Sequence, residues 1–141
     1  MFFRYRIERQ ATETGKRKWD GIAFTRSKNA LVAVLIEFSG GLEANSDHSK
    51  ENHDLQKILP CIKQINDSRP SLPSATYCVR FTDRHLLFEG VTSLNDQLHL
   101  KKKYADILCP TTRSELKECA KLLPVLFAWK QAVLDVITDL T

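Results

Sequence analysis

The sequence predicts an α/β protein of the α+β type, in which helices flank a mixed central β-sheet, with the element order β-β-α-β-β-β-α-α. Short runs of strand-forming residues alternate with polar turns along much of residues 19–109. Two regions, residues 55–65 and 112–137, instead carry apolar residues at the spacing of an amphipathic helix. The length of 141 residues fits a single domain, residues 1–141, around one core. These patterns together predict a sheet covered by helices.

The first two predicted strands form a hairpin. Residues 19–25 and 30–38 flank a polar turn at residues 26–29. The second strand is apolar on both faces, which predicts a central place in the sheet. Residues 1–16 have no clear period and fit either a ragged strand or the remnant of a helix.

Two acids lie at the same end of this hairpin, Asp20 at the start of its first strand and Glu37 near the end of its second. An ionised carboxylate at the end of a buried strand is costly unless a partner pairs with it. If the turn is centred in the middle of residues 26–29, Asp20 opposes Leu35. Glu37 is then the diagonal neighbour of Asp20 on the same face, at roughly 7–8 Å, whereas a slip of one residue would separate the acids. The pattern predicts two carboxylates that share a metal ion.

The segment after the hairpin predicts a helix. Its apolar face consists of Leu55, Ile58, Leu59, Ile62 and Ile65. Because Pro60 falls inside this pattern, we expect either a kink or a helix in two pieces.

Three more strands are predicted at residues 75–81, 86–91 and 98–109, with a turn at residues 82–85 between the first two. The last of these strands alternates only loosely and contains three consecutive lysines, residues 101–103. Lysines suit an edge strand, because their charge discourages pairing with another sheet. We therefore expect this strand at an edge.

The C-terminal region predicts two helices. Thr112 and Glu115 have the spacing of a capping box at the start of the first helix. Pro124 suits the first turn of the second helix. The residues expected to be partly buried on that second helix are Phe127, Trp129, Val133, Val136 and Ile137.

The composition excludes some classes of protein. The longest apolar run, residues 30–36, is far too short to span a bilayer, and the first residues lack the apolar stretch of a secretory signal. We therefore expect an intracellular protein with no membrane partner. The wide spacing of the cysteines favours reduced core residues over a disulfide or a zinc site. These cysteines are Cys61, Cys78, Cys109 and Cys119.

The net charge of +4 favours an anionic partner such as a nucleic acid. The candidate nucleic-acid-binding residues lie in the basic N-terminal stretch, at Lys16, Arg17 and Lys18. The alternative is that this stretch and residues 101–103 are solvated surface.

The hairpin with its two acids, followed by a helix and a strand, resembles the PD-(D/E)XK nuclease superfamily. Asp20-Gly21 is similar to the Asp position of that family, and the segment Leu-Ile-Glu-Phe-Ser at residues 35–39 is similar to its E-x-K strand. The wider pattern also resembles uncharacterised fungal reading frames with the same Asp strand and a Glu-x-Ser-Gly ending. The resemblance covers residues 17–81 and implies a restriction endonuclease-like core with the order α-β-β-β-α-β.

The resemblance implies a Mg²⁺-dependent phosphodiester hydrolase in which Asp20 and Glu37 are the catalytic metal ligands. Ser39 occupies the lysine position of the family motif and cannot supply a positive charge. The lysines that are candidates to replace it are Lys18, Lys57 and Lys63. Ser39 at this position predicts a catalytically degenerate nuclease-like domain.

The N-terminus is a second departure from the family pattern. The family core begins with a helix that often supplies a further acid, here Glu8 or Glu13, yet only residues 1–16 precede Arg17. The resemblance therefore implies a domain shortened at its N-terminus, which also points toward lost catalysis.

Other interpretations of the same residues stay open. Asp20 as a solvated acid and Glu37 as an ion-paired acid need no metal. A protein-interaction domain would reuse the nuclease scaffold through its last helix or through the edge strand at residues 98–107, and a structural domain would bind no ligand. We interpret His48 and His53 as exposed residues rather than metal ligands.

Overall fold

The computed structural model describes residues 9–10, 12–15, 17–25, 31–38, 48–69, 74–95 and 97–139. Its strands are β1 (Arg9–Gln10), β2 (Lys18–Trp19), β3 (Gly21–Phe24), β4 (Val32–Phe38), β5 (Ser74–Thr82), β6 (His85–Ser93) and β7 (His99–Leu108). Its helices are α1 (His48–Asp67), α2 (Arg113–Ala120) and α3 (Leu123–Asp139), with a 3-10 turn at Thr12–Thr14.

The main sheet has five strands in the order β3-β4-β5-β6-β7. Strands β4 and β5 are parallel and are joined through α1, whereas the other neighbouring pairs are antiparallel. The predicted mixed sheet is therefore confirmed, as is the place of β7 at one end of the described sheet. The first predicted strand is divided, because Asp20 forms a bend between β2 and β3, and β2 pairs with β1 instead.

One face of the sheet packs against α1, and we call it the α1 face. Ile58, Ile62 and Ile65 of α1 are buried there as predicted, whereas Leu59 is 39% exposed, so its predicted burial was wrong, and the side chain of Leu55 lies outside the described residues. This core contains Ile22, Leu35, Cys78 and Val91 from the sheet and Ile58, Cys61, Ile62 and Ile65 from α1. Helix α1 is continuous through the exposed Pro60, so the expectation of a helix in two pieces was wrong.

The opposite face packs against α3, and we call it the α3 face. Trp129 lies at its centre, with ring centroids 5.1 Å from Phe88 and 6.0 Å from Tyr77. Strand β6 has a glycine here for a steric reason, because a Cβ atom on Gly90 would lie 2.9 Å from Cε1 of Tyr77. Val133 and Ile137 are buried as predicted.

Two further details concern the C-terminal helices. The capping box of Thr112 and Glu115 is present at the start of α2, as predicted. Phe127, however, is 63% exposed, so its predicted burial was wrong. It lies away from the sheet, whereas Trp129 and Val133 on the same helix pack against the sheet. Within the described part of the chain, we find no helix with the length and apolarity needed to cross a membrane.

Candidate functional site

Asp20 and Glu37 come together at one end of the β3–β4 hairpin. Gly21 pairs with Ile36 in the antiparallel register. Continued by one residue beyond β3, this register sets Asp20 opposite Glu37. The predicted pairing of Asp20 with Leu35 was therefore wrong by two residues, a shift that does not change the parity of the pairing.

The carboxylate of Asp20 is held against the end of β4. Its Oδ2 accepts a hydrogen bond from the backbone N–H of Phe38, with a donor–acceptor distance of 2.6 Å. Phe38 directly follows Glu37, so this bond fixes one carboxylate beside the residue that carries the other. Asp20 is half-buried and Glu37 is buried, so both acids lie at the margin of the core.

Helix α1 brings a lysine to this pair of acids. Nζ of Lys57 contacts Oε1 of Glu37 and also donates a hydrogen bond to the backbone carbonyl of Lys18, at 3.2 Å. The same Nζ lies 4.8 Å from the ring centroid of Trp19, in a cation–π contact. The Lys57 side chain is 25% exposed and that of Glu37 is 11% exposed, so the ammonium group lies on the solvent side of the carboxylate.

The three candidate lysines have different places in the structure. Lys57 contacts Glu37 through its side chain, whereas Lys18 contributes its backbone carbonyl to the site. Lys63 is exposed two turns further along α1. Ser39, at the lysine position of the motif, lies outside the described residues, as do Glu8 and the side chains of His48 and His53.

The predicted nucleic-acid-binding stretch is partly engaged within the fold. The guanidinium of Arg17 donates hydrogen bonds to the backbone carbonyl of Lys57, at 3.2 Å, and to Sγ of Cys61, at 2.6 Å. Arg17 therefore ties the chain before β2 to helix α1. The side chain of Lys18 is exposed, and Lys16 lies outside the described residues.

Glu13 does not belong to this site, so its predicted role as a further acid was wrong. Its Oε1 accepts a hydrogen bond from the backbone N–H of Val32, at 3.2 Å. Val32 begins β4, whereas Glu37 lies near the end of that strand. Five residues of strand correspond to about 16 Å, so Glu13 is far from the carboxylate pair.

A buried row of charges continues from Glu37 across the sheet, and sequence reasoning missed most of it. Glu37 is in register with Arg80 on the neighbouring parallel strand β5. Nε of Arg80 donates to Oε2 of Glu89 at 2.9 Å, and Nζ of Lys101 lies 2.8 Å from Oε1 of Glu89. The charges therefore alternate in sign from α1 to β7, and we call this row the charge ladder. Its members are Lys57, Glu37, Arg80, Glu89 and Lys101.

Two members of the charge ladder, Arg80 and Glu89, lie in the interior. Side chains of Arg80 and Glu89 are each 4% exposed. Burial alone would raise the pKa of Glu89, but hydrogen bonds from Arg80 and Lys101 outweigh it and lower that pKa below the ordinary value. Glu89 is therefore a carboxylate at neutral pH, and it compensates the charge of Arg80.

Cys78 lies beside this pair, and its thiol is unreactive at neutral pH. It is paired directly with Glu89 in the β5–β6 register, and its Sγ is 3.9 Å from Oε2 of Glu89. Burial, reinforced by the neighbouring carboxylate, raises the pKa of the Cys78 thiol to about 12. A thiol in this state is neither a nucleophile nor a metal ligand at neutral pH.

A signal for Glu89 was present in the sequence. It follows the apolar run Leu-Leu-Phe at residues 86–88, and a carboxylate in such a strand, like that of Glu37, is costly to bury without a partner. The tight turn at residues 82–85 also fixes the parity that puts Arg80 and Glu89 on one face. No comparable local pattern in the sequence indicates the contact between Lys57 and Glu37, because this contact depends on how α1 packs on the sheet.

Asp20 and Glu37 are the candidate oxygen donors for a small hard cation. Mg²⁺ in proteins is commonly held by one or two carboxylates, with waters and substrate phosphates completing its shell. Asp20 and Glu37 supply two carboxylates at one strand end. Nowhere in the described ranges do three or more His, Cys, Asp or Glu residues form a metal-binding group, so a closed all-protein metal cage is not formed by those residues.

Comparison with known proteins adds no further constraint, since no family model, no curated protein and no solved structure matches this chain.

Proposed function

We propose that this chain is a divergent PD-(D/E)XK nuclease-like domain that binds nucleic acid. In this proposal Asp20 and Glu37 hold Mg²⁺, and Lys57 takes the role of the motif lysine that Ser39 cannot perform. The observation that carries the proposal is the contact between Lys57 and Glu37 beside Asp20.

The order of the elements supports the proposal. Strands β3 and β4 form the antiparallel hairpin that bears the acids, α1 follows, and β5 then lies parallel to β4. This β-β-α-β order is the one expected for the second, third and fourth strands of the family core. Asp20 directly precedes β3 and Glu37 is the next-to-last residue of β4, which is compatible with the positions of the acids in that motif.

The chemistry of the three residues is coherent. When bound, Mg²⁺ would polarise the scissile phosphate and activate a water molecule. The ammonium group of Lys57 is held by three contacts, so it would stabilise negative charge without a large reorganisation. Ser39 was the main reason to expect degenerate catalysis, and a lysine supplied from α1 weakens that expectation.

The experiment is metal-dependent cleavage of plasmid and single-stranded DNA. We expect cleavage that requires Mg²⁺ and that is lost in Asp20→Asn and in Glu37→Gln. Glu118→Gln is a matched control, because Glu118 is an exposed acid on α2 paired with Lys121. Cleavage that survives Asp20→Ala and Glu37→Ala would refute the catalytic assignment, and so would an inactive wild-type protein.

A second candidate is a protein-interaction domain that reuses this scaffold. It is favoured by apolar side chains that α2 and α3 leave exposed, with Leu116 58%, Leu123 49% and Phe127 63% exposed. An apolar groove of about 610 Å³ between α3 and the sheet lies nearby, lined by Ile36 and Trp129 among others. A salt titration separates the candidates, because nucleic-acid binding weakens steeply as salt rises whereas apolar association does not.

A further inference from the structure

The three consecutive lysines of β7 point to two different faces of the sheet. Lys101 pairs with Val91 and Lys103 with Glu89, so both lie on the α1 face. Lys102 pairs with Gly90 and lies over the ring of Tyr104, 4.4 Å from its centroid, on the α3 face. Lys101 and Lys103 are therefore candidates for one surface, and Lys102, on the other face, is a control for them.

The charge ladder ends in a cation on the α1 face of β7. Lys101 contacts Glu89, which also pairs with the buried Arg80. The whole ladder has three cations and two carboxylates, and Lys101 is the cation at its β7 end, with its side chain 38% exposed. Lys103 is 57% exposed and pairs only at the surface, with Asp106. Exposed ion pairs of this kind are weak and exchange readily for another anion.

These lysines lie on the same face of the sheet as Glu37, and Lys101 belongs to the same charge ladder. Strands β4 and β7 are three strand spacings apart, which corresponds to about 14 Å. Along the strands, the rows of Lys103 and Lys101 cross β5 at Cys78 and Thr76, whereas Glu37 pairs with Arg80, which adds roughly 7 Å and 13 Å along the strand direction. A polyanion held near Asp20 and Glu37 would reach β7 within a few phosphates.

We propose that Lys101 and Lys103 form a phosphate-binding surface that carries the nucleic-acid backbone across the α1 face, away from the Asp20–Glu37 site. Lys102 takes no part in it. This inference rests on the nucleic-acid-binding half of the proposed function and not on cleavage. The main contact with the nucleic-acid backbone would then be on strand β7 and not on the N-terminal stretch, where Arg17 is engaged with α1.

A structural role for the lysines makes a different prediction. Lysines on an edge strand oppose sheet-to-sheet aggregation, and that effect does not distinguish one face from the other. Substitution of any of the three would then change solubility in a similar way and leave nucleic-acid affinity unchanged.

The test measures binding of a short fluorescein-labelled single-stranded DNA by anisotropy, across a salt series and without divalent metal. We expect Lys101→Gln and Lys103→Gln each to weaken binding several-fold. Each should lower the slope of log affinity against log salt by about 0.7 to 1. Lys102→Gln should leave both quantities at the wild-type values. Lys101→Arg keeps the charge beside Glu89 and should bind DNA as the wild type does. Together with Lys101→Gln, it separates loss of a phosphate contact from loss of folding.

Several outcomes overturn the inference. Equal effects of the three glutamine substitutions, or no effect of any, would show that the lysines only protect the edge of the sheet. The proposed metal site would not be affected by that result, because the cleavage experiment tests it separately. A wild-type protein that does not bind DNA would remove both the inference and the nucleic-acid half of the proposed function. Binding of poly-glutamate as tight as that of DNA, with the same dependence on Lys101, would assign the surface to an acidic protein instead.

Discussion

Lys57 of helix α1 contacts Glu37 of strand β4 through its Nζ and the Oε1 of the carboxylate. Twenty residues separate the two in the chain, and the motif position nearest to Glu37 carries Ser39 instead of a lysine. The helix thus supplies a cation that the strand lacks. This contact is the basis of the proposed function and of the first prediction.

Removal of the Lys57 ammonium should abolish most of the cleavage. We expect Lys57→Met to lower the rate of Mg²⁺-dependent DNA cleavage by about 10²- to 10³-fold, as for the loss of one group that stabilises charge in a transition state. Lys63→Met is the matched control, because Lys63 is an exposed lysine on the same helix. Single-turnover cleavage rates measure the effect, and wild-type rates in Lys57→Met would contradict it.

Return of a lysine to the motif position should compensate for that loss. The double substitution Lys57→Met with Ser39→Lys supplies the cation two residues after Glu37 in the sequence, as the proposed family motif does. We expect it to recover a measurable part of the cleavage lost in Lys57→Met, on the same DNA and under the same conditions. If Ser39→Lys has no effect in the Lys57→Met background, the two positions do not share a role.

The Arg80–Glu89 pair should behave as a buried ion pair in stability measurements. Glu89→Gln removes the carboxylate that accepts from the buried Arg80, so we expect it to lower the free energy of unfolding by about 3–5 kcal/mol. Replacement of both partners, as in Arg80→Met with Glu89→Leu, should bring it back to near the wild-type value. Urea denaturation provides both numbers, and a double variant as unstable as the single one would refute this account.

Acid should weaken the fold partly through Glu89. Its pKa is below the ordinary value of 4.5 in the native state. In the unfolded chain Glu89 takes up a proton near that ordinary value, so the unfolded state binds more protons as the pH falls below about 4.5. The stabilisation by Glu89 is therefore complete above that pH and is lost as the pH falls through the native pKa.

Urea unfolding between pH 6 and pH 3 tests this linkage; these limits bracket the pKa of a carboxyl group at about 4.3. The free energy of unfolding should fall less steeply with acid in Arg80→Met with Glu89→Leu than in the wild type. The pKa values of Asp106 and Glu115 are also lowered, and these two residues should contribute equally in both proteins to the change of the free energy of unfolding with pH. Identical slopes in the two proteins would show that Glu89 does not contribute.

The four thiols should fall into two classes of reactivity. Cys109 and Cys119 are half-buried, whereas Cys61 and Cys78 are 1% and 2% exposed. The pKa of Cys78 near 12 further disfavours its thiolate. A disulfide reagent at mildly alkaline pH should therefore modify Cys109 and Cys119 in the native protein and reach the other two only after unfolding. Peptide mapping identifies the modified residues, and rapid native modification of Cys78 would contradict its burial.

Much of the fold follows from local patterns along the chain. The alternation of apolar residues predicted the five strands of the main sheet to within a few residues, and the helical spacing predicted α1 and α3. Thr112 and Glu115 predicted the start of α2, and the lysines of residues 101–103 predicted an edge strand. These features depend on residues close together in sequence, so their periods and caps suffice to predict them.

The candidate site was likewise predicted only in part from the sequence. The parity of the hairpin pairing followed from the sequence, although the predicted register was wrong by two residues. The bulge between Ala23 and Phe24 on the β3–β4 pair accounts for part of that error, because an extra residue changes the register without a clear sequence signal.

The sequence by itself therefore determined the order of the five main strands and the three helices, the parity of the hairpin that follows Asp20 and bears Glu37, and the lysines of an edge strand. Only the tertiary structure decided that Lys57, rather than Lys18 or Lys63, reaches Glu37, and that Arg80 stands in register with Glu37. The reason is physical. Strand and helix periods are set by neighbouring residues, whereas these contacts depend on how α1 and β5 dock against β4 through the apolar core that surrounds Leu35.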